Sequence, residues 1–201
     1  MINKTFKCDY PCTDINRNMI YPQIEMDTNL IKIVMISEAP SVDYSNYFYK
    51  DVSAPFFQTT KTAFQDAGID IKDYNDLTNI GVYLTTAIKC SKKDYLVSSK
   101  TIKNCTNYLE KEISQFPNLK AIMCMGDFAI KSINHIYKSK VGIAPIKTGS
   151  TYKIRKETHE QSGIRFFPSY TQTGDSFNLE KSKRRMIAED IKNALNYIGN
   201  N

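Results

Sequence analysis

Two sets of residues in this chain carry side chains able to do chemistry: an acid at the end of an apolar run, and four cysteines in two distant pairs. The acid is Glu38. It closes the stretch IKIVMISEAPS, residues 31–41, in which Ile31, Ile33, Val34, Met35 and Ile36 form an apolar, largely β-branched run. Such a run reads as a strand buried on both faces, hence parallel and central. Pro40 stops its ladder, having no N–H to donate. Ligands collect outside the carboxyl ends of strands in open α/β sheets, so a carboxylate there is a candidate for stabilising positive charge or orienting water. Asp43 lies in the same loop as a supporting carboxylate. The cysteines are Cys8 and Cys12, with three residues between them, and Cys90 and Cys105, with fourteen. Four thiolates converging from a loop, a strand end and a helix can hold an iron–sulfur cluster or a structural zinc. Cys124 sits inside the run AIMCM and reads as plain burial.

The elements that must position these groups follow from the pattern of the rest of the chain. Strands are expected over residues 31–37, 82–88, 121–125 and 164–168. Helices are expected over 57–67, 72–77, 98–115, 127–137 and 179–198, with Ser98 or Ser99 and Asp127 as caps. Residues 1–29 read as an irregular segment, and the basic stretch 147–156 has hairpin character. Strands alternating with helices predict an α/β protein, a three-layer α/β/α sandwich around a central four-stranded, mostly parallel sheet. At 201 residues the chain is expected to be one domain, residues 1–201. No apolar run is long enough to span a membrane. The N-terminus MINKTFKCDYPC lacks a hydrophobic signal region, so a cytoplasmic protein with reduced thiols is expected, which argues against a disulfide framework. Lys and Arg number 27 against 21 Asp and Glu, a net charge of +6 that suits a polyanionic partner.

Taken with their neighbours, these residues resemble the iron–sulfur uracil-DNA glycosylases, the family 4 branch of that superfamily. ISEAPS at 36–41 looks like the family's glycine-glutamate-x-proline-glycine strand end, with Glu38 at the carboxylate position. APFF at 54–57 looks like the arginine-proline-phenylalanine-valine segment, placing Phe56 where the family stacks a ring on the extruded base. LTTAIKC at 84–90 is similar to the threonine-asparagine-x-x-lysine-cysteine strand and carries the third cluster ligand. FPSYTQ at 167–172 resembles the proline-threonine-tyrosine-histidine-proline motif, preceded by the strand-glycine-helix unit MCMGDFAIKSI. The motifs run in the family's order over nearly the whole chain.

The resemblance implies a DNA glycosylase with a [4Fe–4S] cluster on Cys8, Cys12, Cys90 and Cys105, zinc being the alternative occupant. Glu38, Asp43 and Thr171 take the catalytic positions, and Phe56, Thr86, Ala39 and Tyr170 the base pocket. Ser37 and Ser41 replace the family's two glycines, the first cysteine pair has one extra residue between its members, and two base-recognition positions depart from the family. Thr86 stands where an asparagine amide reads the uracil edge, and a rotatable hydroxyl replaces its fixed donor and acceptor. Thr171 stands where a histidine supports the departing base. The preferred base is therefore expected to be another deaminated base or a modified pyrimidine, including phage-modified bases. Breaking a glycosidic bond leaves a cation-like sugar and an anionic base, and the base must first leave the stack. Tyr170 or Phe177 is expected to fill the gap, and Lys89, Lys92, Lys93, Lys181, Lys183, Arg184 and Arg185 to contact phosphates. His135 and His159 match no motif and read as surface or packing residues. No lysine stands at a nucleophile position, so a monofunctional, monomeric enzyme acting on duplex or single-stranded DNA is expected. The alternative is a catalytically weak DNA-binding module on the same fold.

Overall fold

A computed structural model describes residues 7–199. The chain enters with strand β1 (Ile15–Met19) and a 3-10 turn at Thr28–Leu30 before strand β2 (Ile33–Ser37). A second 3-10 turn, Tyr44–Asn46, leads to helix α1 (Pro55–Asp66), then helix α2 (Tyr74–Asn79), strand β3 (Val82–Thr86) and strand β4 (Cys90–Lys92). Helix α3 (Ser99–Ile113), strand β5 (Ala121–Met125), helix α4 (Asp127–Val141) and helix α5 (Thr151–Ile154) follow. The chain ends with strand β6 (His159–Gln161), strand β7 (Ile164–Ser169), helix α6 (Asp175–Leu179) and helix α7 (Lys181–Gly199).

The sheet runs β3-β2-β5-β7-β6, parallel except at β6. All five residues of β2 are buried, as its apolar run predicts for a strand between two parallel neighbours. Alternate side chains then divide the core. Val34, Ile36, Tyr83 and Cys124 face Ile102 and Leu109 of α3 and Ile133 of α4. Ile33, Met35, Leu84 and Met123 face Phe57 and Phe64 of α1 and Ile187 and Ile191 of α7. Three layers result, as expected. Among the described residues no helix is long and apolar enough to cross a membrane.

Five differences from the sequence reading have local causes. The sheet has five strands rather than four, because the turn at Ser162 and Gly163, both at positive φ, folds β6 back onto β7. The hairpin therefore lies beyond 147–156, which instead contains the single turn α5. Residues 15–19 are not irregular: β1 pairs antiparallel with β4, Ile15 beside Lys92 and Met19 beside Cys90. Asp127 is the first helical residue of α4 and pairs with Lys131, while Gly126 at φ +107 occupies the cap. The last helix is split at Glu180 into α6 and α7. Asp190 of α7 accepts from Ser169 Oγ (2.6 Å) and Arg155 (2.7 Å), which fixes α7 against the end of β7.

Candidate active site

Glu38 follows the last residue of β2, and its backbone is held by the neighbouring chain: Ala87 N–H donates to Ser37 O (2.8 Å) and Ile88 N–H to Glu38 O (3.0 Å). Its side chain is about three-quarters buried and meets the Lys92 ammonium at 3.5 Å. That ammonium also lies 5.0 Å from the Phe128 ring centroid and 5.5 Å from that of Tyr95. A Cβ placed on Gly126 would lie 2.8 Å from Glu38 Oε1 and 2.9 Å from its Cγ, so the carboxylate rests directly against this glycine. The glycine after β5 was visible in the sequence, but its contact with Glu38 was not, since 87 residues separate the two.

A cleft of about 330 Å³ opens beside this carboxylate. Glu38, Ala39 and Val42 line it from the loop after β2, Phe56 from the first turn of α1, Lys92 and Tyr95 from the segment after β4, and Thr171 and Thr173 from the loop after β7. Phe56 comes to the rim because Pro55 starts α1 with Phe57, rather than Phe56, turned fully into the core. The structure thus gathers Glu38, Ala39, Phe56 and Thr171 as the motifs require. Thr171 Oγ1 lies 3.3 Å from Thr173 Oγ1.

Two buried groups close to lining residues in register or sequence, though neither lines the cleft itself, keep unspent hydrogen-bonding capacity. Thr86 lies beside Ser37 in the β2–β3 register, 1% exposed, and its Oγ1 has no hydrogen-bond partner among the described residues. Gln172, fully buried, donates from Nε2 to Ser37 Oγ (2.9 Å), reaching from the end of β7 to the edge of β2, and its Oε1 has no partner either. Leaving such a group unpaired costs about 1–3 kcal/mol, which a ligand edge would recover. The sequence reading missed Gln172, because only the fold shows how far its side chain reaches.

Several expected residues lie elsewhere. Lys89 is fully buried: its ammonium donates to Thr85 Oγ1 (2.8 Å), to Thr86 O (2.7 Å) and to the carboxylate of Glu112. Glu112 also accepts from Tyr83 and Thr85 hydroxyls. Lys89 is therefore an internal strut and cannot reach a phosphate, because an ammonium without water needs its full set of acceptors inside. Asp43 does not line the cleft; it caps the 3-10 turn, accepting from Ser45 N–H at 2.9 Å. Hydrogen bonds from Ser45 hold its carboxyl below the usual value. Phe177 is 2% exposed, and Tyr170 is half-buried with the Lys183 ammonium 5.4 Å from its ring centroid, so neither projects as a wedge. Lys181, Arg184 and Arg185 line a separate cleft of about 700 Å³ with Asp66, to which Arg184 is paired. Lys183 pairs with Glu180. Lys93 is exposed and donates to Thr13 O (2.8 Å). His135 is exposed, and His159 is buried with Nε2 2.9 Å from Ile154 O, as packing roles require.

Cys8 and Cys12 lie in the N-terminal loop and Cys105 in α3, as expected, whereas Cys90 opens β4 rather than closing the strand before it. Cys8 and Cys90 line a cleft of about 490 Å³ with Arg17. Burial pushes the Cys90 thiol up to about 12, helped by the nearby Cys105, Cys8 and Cys12 thiols. Burial also raises Cys105, against a backbone hydrogen bond from Lys89 and the Lys89 charge. Asn104 Nδ2 donates to Cys12 Sγ at 3.4 Å. Among the described residues no group of three or more His, Cys, Asp or Glu side chains is placed to hold a metal ion. Cys124 is fully buried in β5, and burial raises its thiol well above the usual range.

The sequence profile of the Uracil DNA glycosylase superfamily matches residues 25–193, a span that includes β2, the cleft and the loop after β7. A Type-5 uracil-DNA glycosylase of Thermus thermophilus is 23% identical over 176 residues, covering 84% of this chain and 76% of that protein.

Proposed function

Since the chain belongs to the uracil DNA glycosylase superfamily, we propose that it is a monofunctional DNA glycosylase whose base pocket is read by Thr86 and Gln172. The observation that carries this reading is the placement of Glu38, Phe56 and Thr171 around one cleft at the strand ends. A base turned out of the duplex stacks on Phe56, and its sugar lies against Glu38, whose carboxylate stabilises the cation-like sugar and orients the attacking water. Thr171 and Thr173 hydroxyls donate toward the departing base, a weaker support than an imidazole. Lys92, the lysine lining the cleft, is engaged by Glu38 at 3.5 Å and by the Tyr95 and Phe128 rings, and water rather than its amine is the nucleophile in this reading. Borohydride trapping during turnover is expected to yield no covalent protein–DNA adduct.

Base choice follows from the two buried groups. Gln172 has its N–H₂ engaged at Ser37 and its Oε1 free to accept, while the Thr86 hydroxyl can donate. An N–H beside a C=O satisfies both; uracil, hypoxanthine and xanthine carry that edge, as thymine and guanine do, so the two groups select against cytosine and adenine. Duplex and single-stranded oligonucleotides carrying uracil, hypoxanthine, xanthine or modified cytosines, incubated with the protein and treated with alkali, reveal abasic sites as strand breaks. Cleavage at uracil, hypoxanthine or xanthine is the expected outcome. Breaks at none of them, with tight binding retained, would instead identify a DNA-binding module. Gln172→Ala is expected to shrink the ratio of rates between preferred and disfavoured bases roughly tenfold, since one hydrogen bond to a buried edge is lost.

The thiols supply the second part of the proposal. Cys8, Cys12, Cys90 and Cys105 are the residues that would hold a [4Fe–4S] cluster, with zinc as the alternative occupant; Cys8 and Cys90 line one cleft, and the thiols of Cys105, Cys8 and Cys12 lie near enough to Cys90 to raise it. Such a cluster would be structural, tying residues 8–12 to β4 and α3. Protein purified anaerobically is expected to show thiolate-to-iron absorption in the visible, and Cys90→Ala to lose it together with several degrees of Tm. A colourless protein with stoichiometric zinc would overturn the assignment.

A further inference from the structure

The loop between β4 and α3, residues 93–98, carries the largest exposed apolar side chains near the cleft. Tyr95 is 87% exposed and Leu96 72%. Placing two such side chains side by side in water is unfavourable for a free surface unless they meet a partner. Tyr95 lines the same cleft as Glu38 and Phe56, as does Val42, 73% exposed.

The loop is held at both ends. Lys93 N–H donates to Asp14 O (3.2 Å), and Ser98 N–H donates to the Asp14 carboxylate (2.7 Å). Ser98 also caps α3, accepting from Thr101 N–H at 3.2 Å. Between these anchors Lys92 Nζ reaches Tyr95 O at 3.5 Å. The tip is thus presented by a fixed base. Exposed Lys93 and Lys100 flank it in sequence, so a polyanion meets cations on either side of two apolar side chains.

The loop after β7 offers nothing comparable. Its residues are Tyr170, Thr171, Gln172, Thr173 and Gly174; its one ring, Tyr170, is half-buried with the Lys183 ammonium 5.4 Å from its centroid, and the next ring, Phe177, is buried.

Resting on the glycosylase reading, we propose that Tyr95 and Leu96 form the wedge of this protein. They enter the duplex beside the target, fill the space that the extruded base vacates, and hold it in the cleft below. Apolar side chains inserted between base steps replace part of the lost stacking and slow the return of the base.

The test uses the full-length protein and a uracil·guanine duplex with 2-aminopurine next to the uracil. Wild type is expected to raise 2-aminopurine fluorescence on binding, and Tyr95→Ala with Leu96→Ala to lose most of that rise. Leu96→Ala alone, at a side chain that does not line the cleft, is expected to release uracil roughly tenfold more slowly from duplex, yet at the wild-type rate from the single strand. A bulky polycyclic nucleotide opposite the uracil, which pushes it out, is expected to restore this variant on duplex. Equal losses on duplex and single strand, or an unchanged fluorescence rise in the double variant, would overturn the wedge. If wild type releases no uracil, the glycosylase reading fails for this base, and the fluorescence arm still decides the wedge by itself.

Discussion

Glu38→Gln is expected to slow base release by about 10²–10³-fold in single turnover while leaving the affinity for the same duplex within a few-fold of wild type. Glutamine keeps the size of the side chain, so the contact with Gly126 and the shape of the cleft persist. What disappears is the negative charge. In wild type that charge faces both the Lys92 ammonium at 3.5 Å and the position of the sugar. With glutamine, Lys92 loses its carboxylate partner beside a sugar that is itself becoming cationic. The loss therefore combines missing stabilisation with added repulsion in a partly dehydrated cleft, where charges act more strongly than in water. Because both effects arise only as the glycosidic bond breaks, they appear in the chemical step. Rate and affinity falling by the same factor would place Glu38 in DNA binding instead.

The parts of the site legible in sequence were those fixed by a single strand end. The apolar run of β2 foretold its buried, parallel position, and with it the exit of Glu38 at the carboxyl edge. Phe56 was legible because Pro55 fixes the first turn of α1. What the sequence hid depends on partners far along the chain. Lys89, one residue before Cys90, looked like a strand-end cation, but Glu112 lies 23 residues away on the buried face of α3 and draws the ammonium inside. Gln172 needed the order β2-β5-β7 to show that an amide after β7 can reach Ser37. The three-residue strands β4 and β6 are too short for alternation to show, so the fifth strand and the β1–β4 ribbon emerged only from pairing. Phe177 could be read as a loop ring until α6 turned it into the core.

Gly126→Ala is expected to cost nearly as much activity as Glu38→Gln, without touching substrate. At φ +107 the backbone lies where an L side chain is strained, which alone costs about 1 kcal/mol or more of stability. The new methyl would also meet Glu38 Oε1 at 2.8 Å and Cγ at 2.9 Å, distances that force one of them to move. The glycine cannot yield easily. Its N–H donates to Ser169 O (3.0 Å), and its carbonyl accepts from Ile130 N–H (3.2 Å) in the first turn of α4. The carboxylate must therefore swing away, breaking its alignment with Lys92 and with the sugar. A displacement of an ångström at a reacting centre is worth about 10²-fold in rate. Strain and collision separate in a double-mutant cycle. In a Glu38→Ala background the obstructing atoms are gone, so adding Gly126→Ala should leave the residual rate unchanged. Its effect on Tm should then shrink to the backbone strain alone. Full additivity of the two substitutions in both rate and Tm would show that Gly126 acts on the fold and not on the carboxylate.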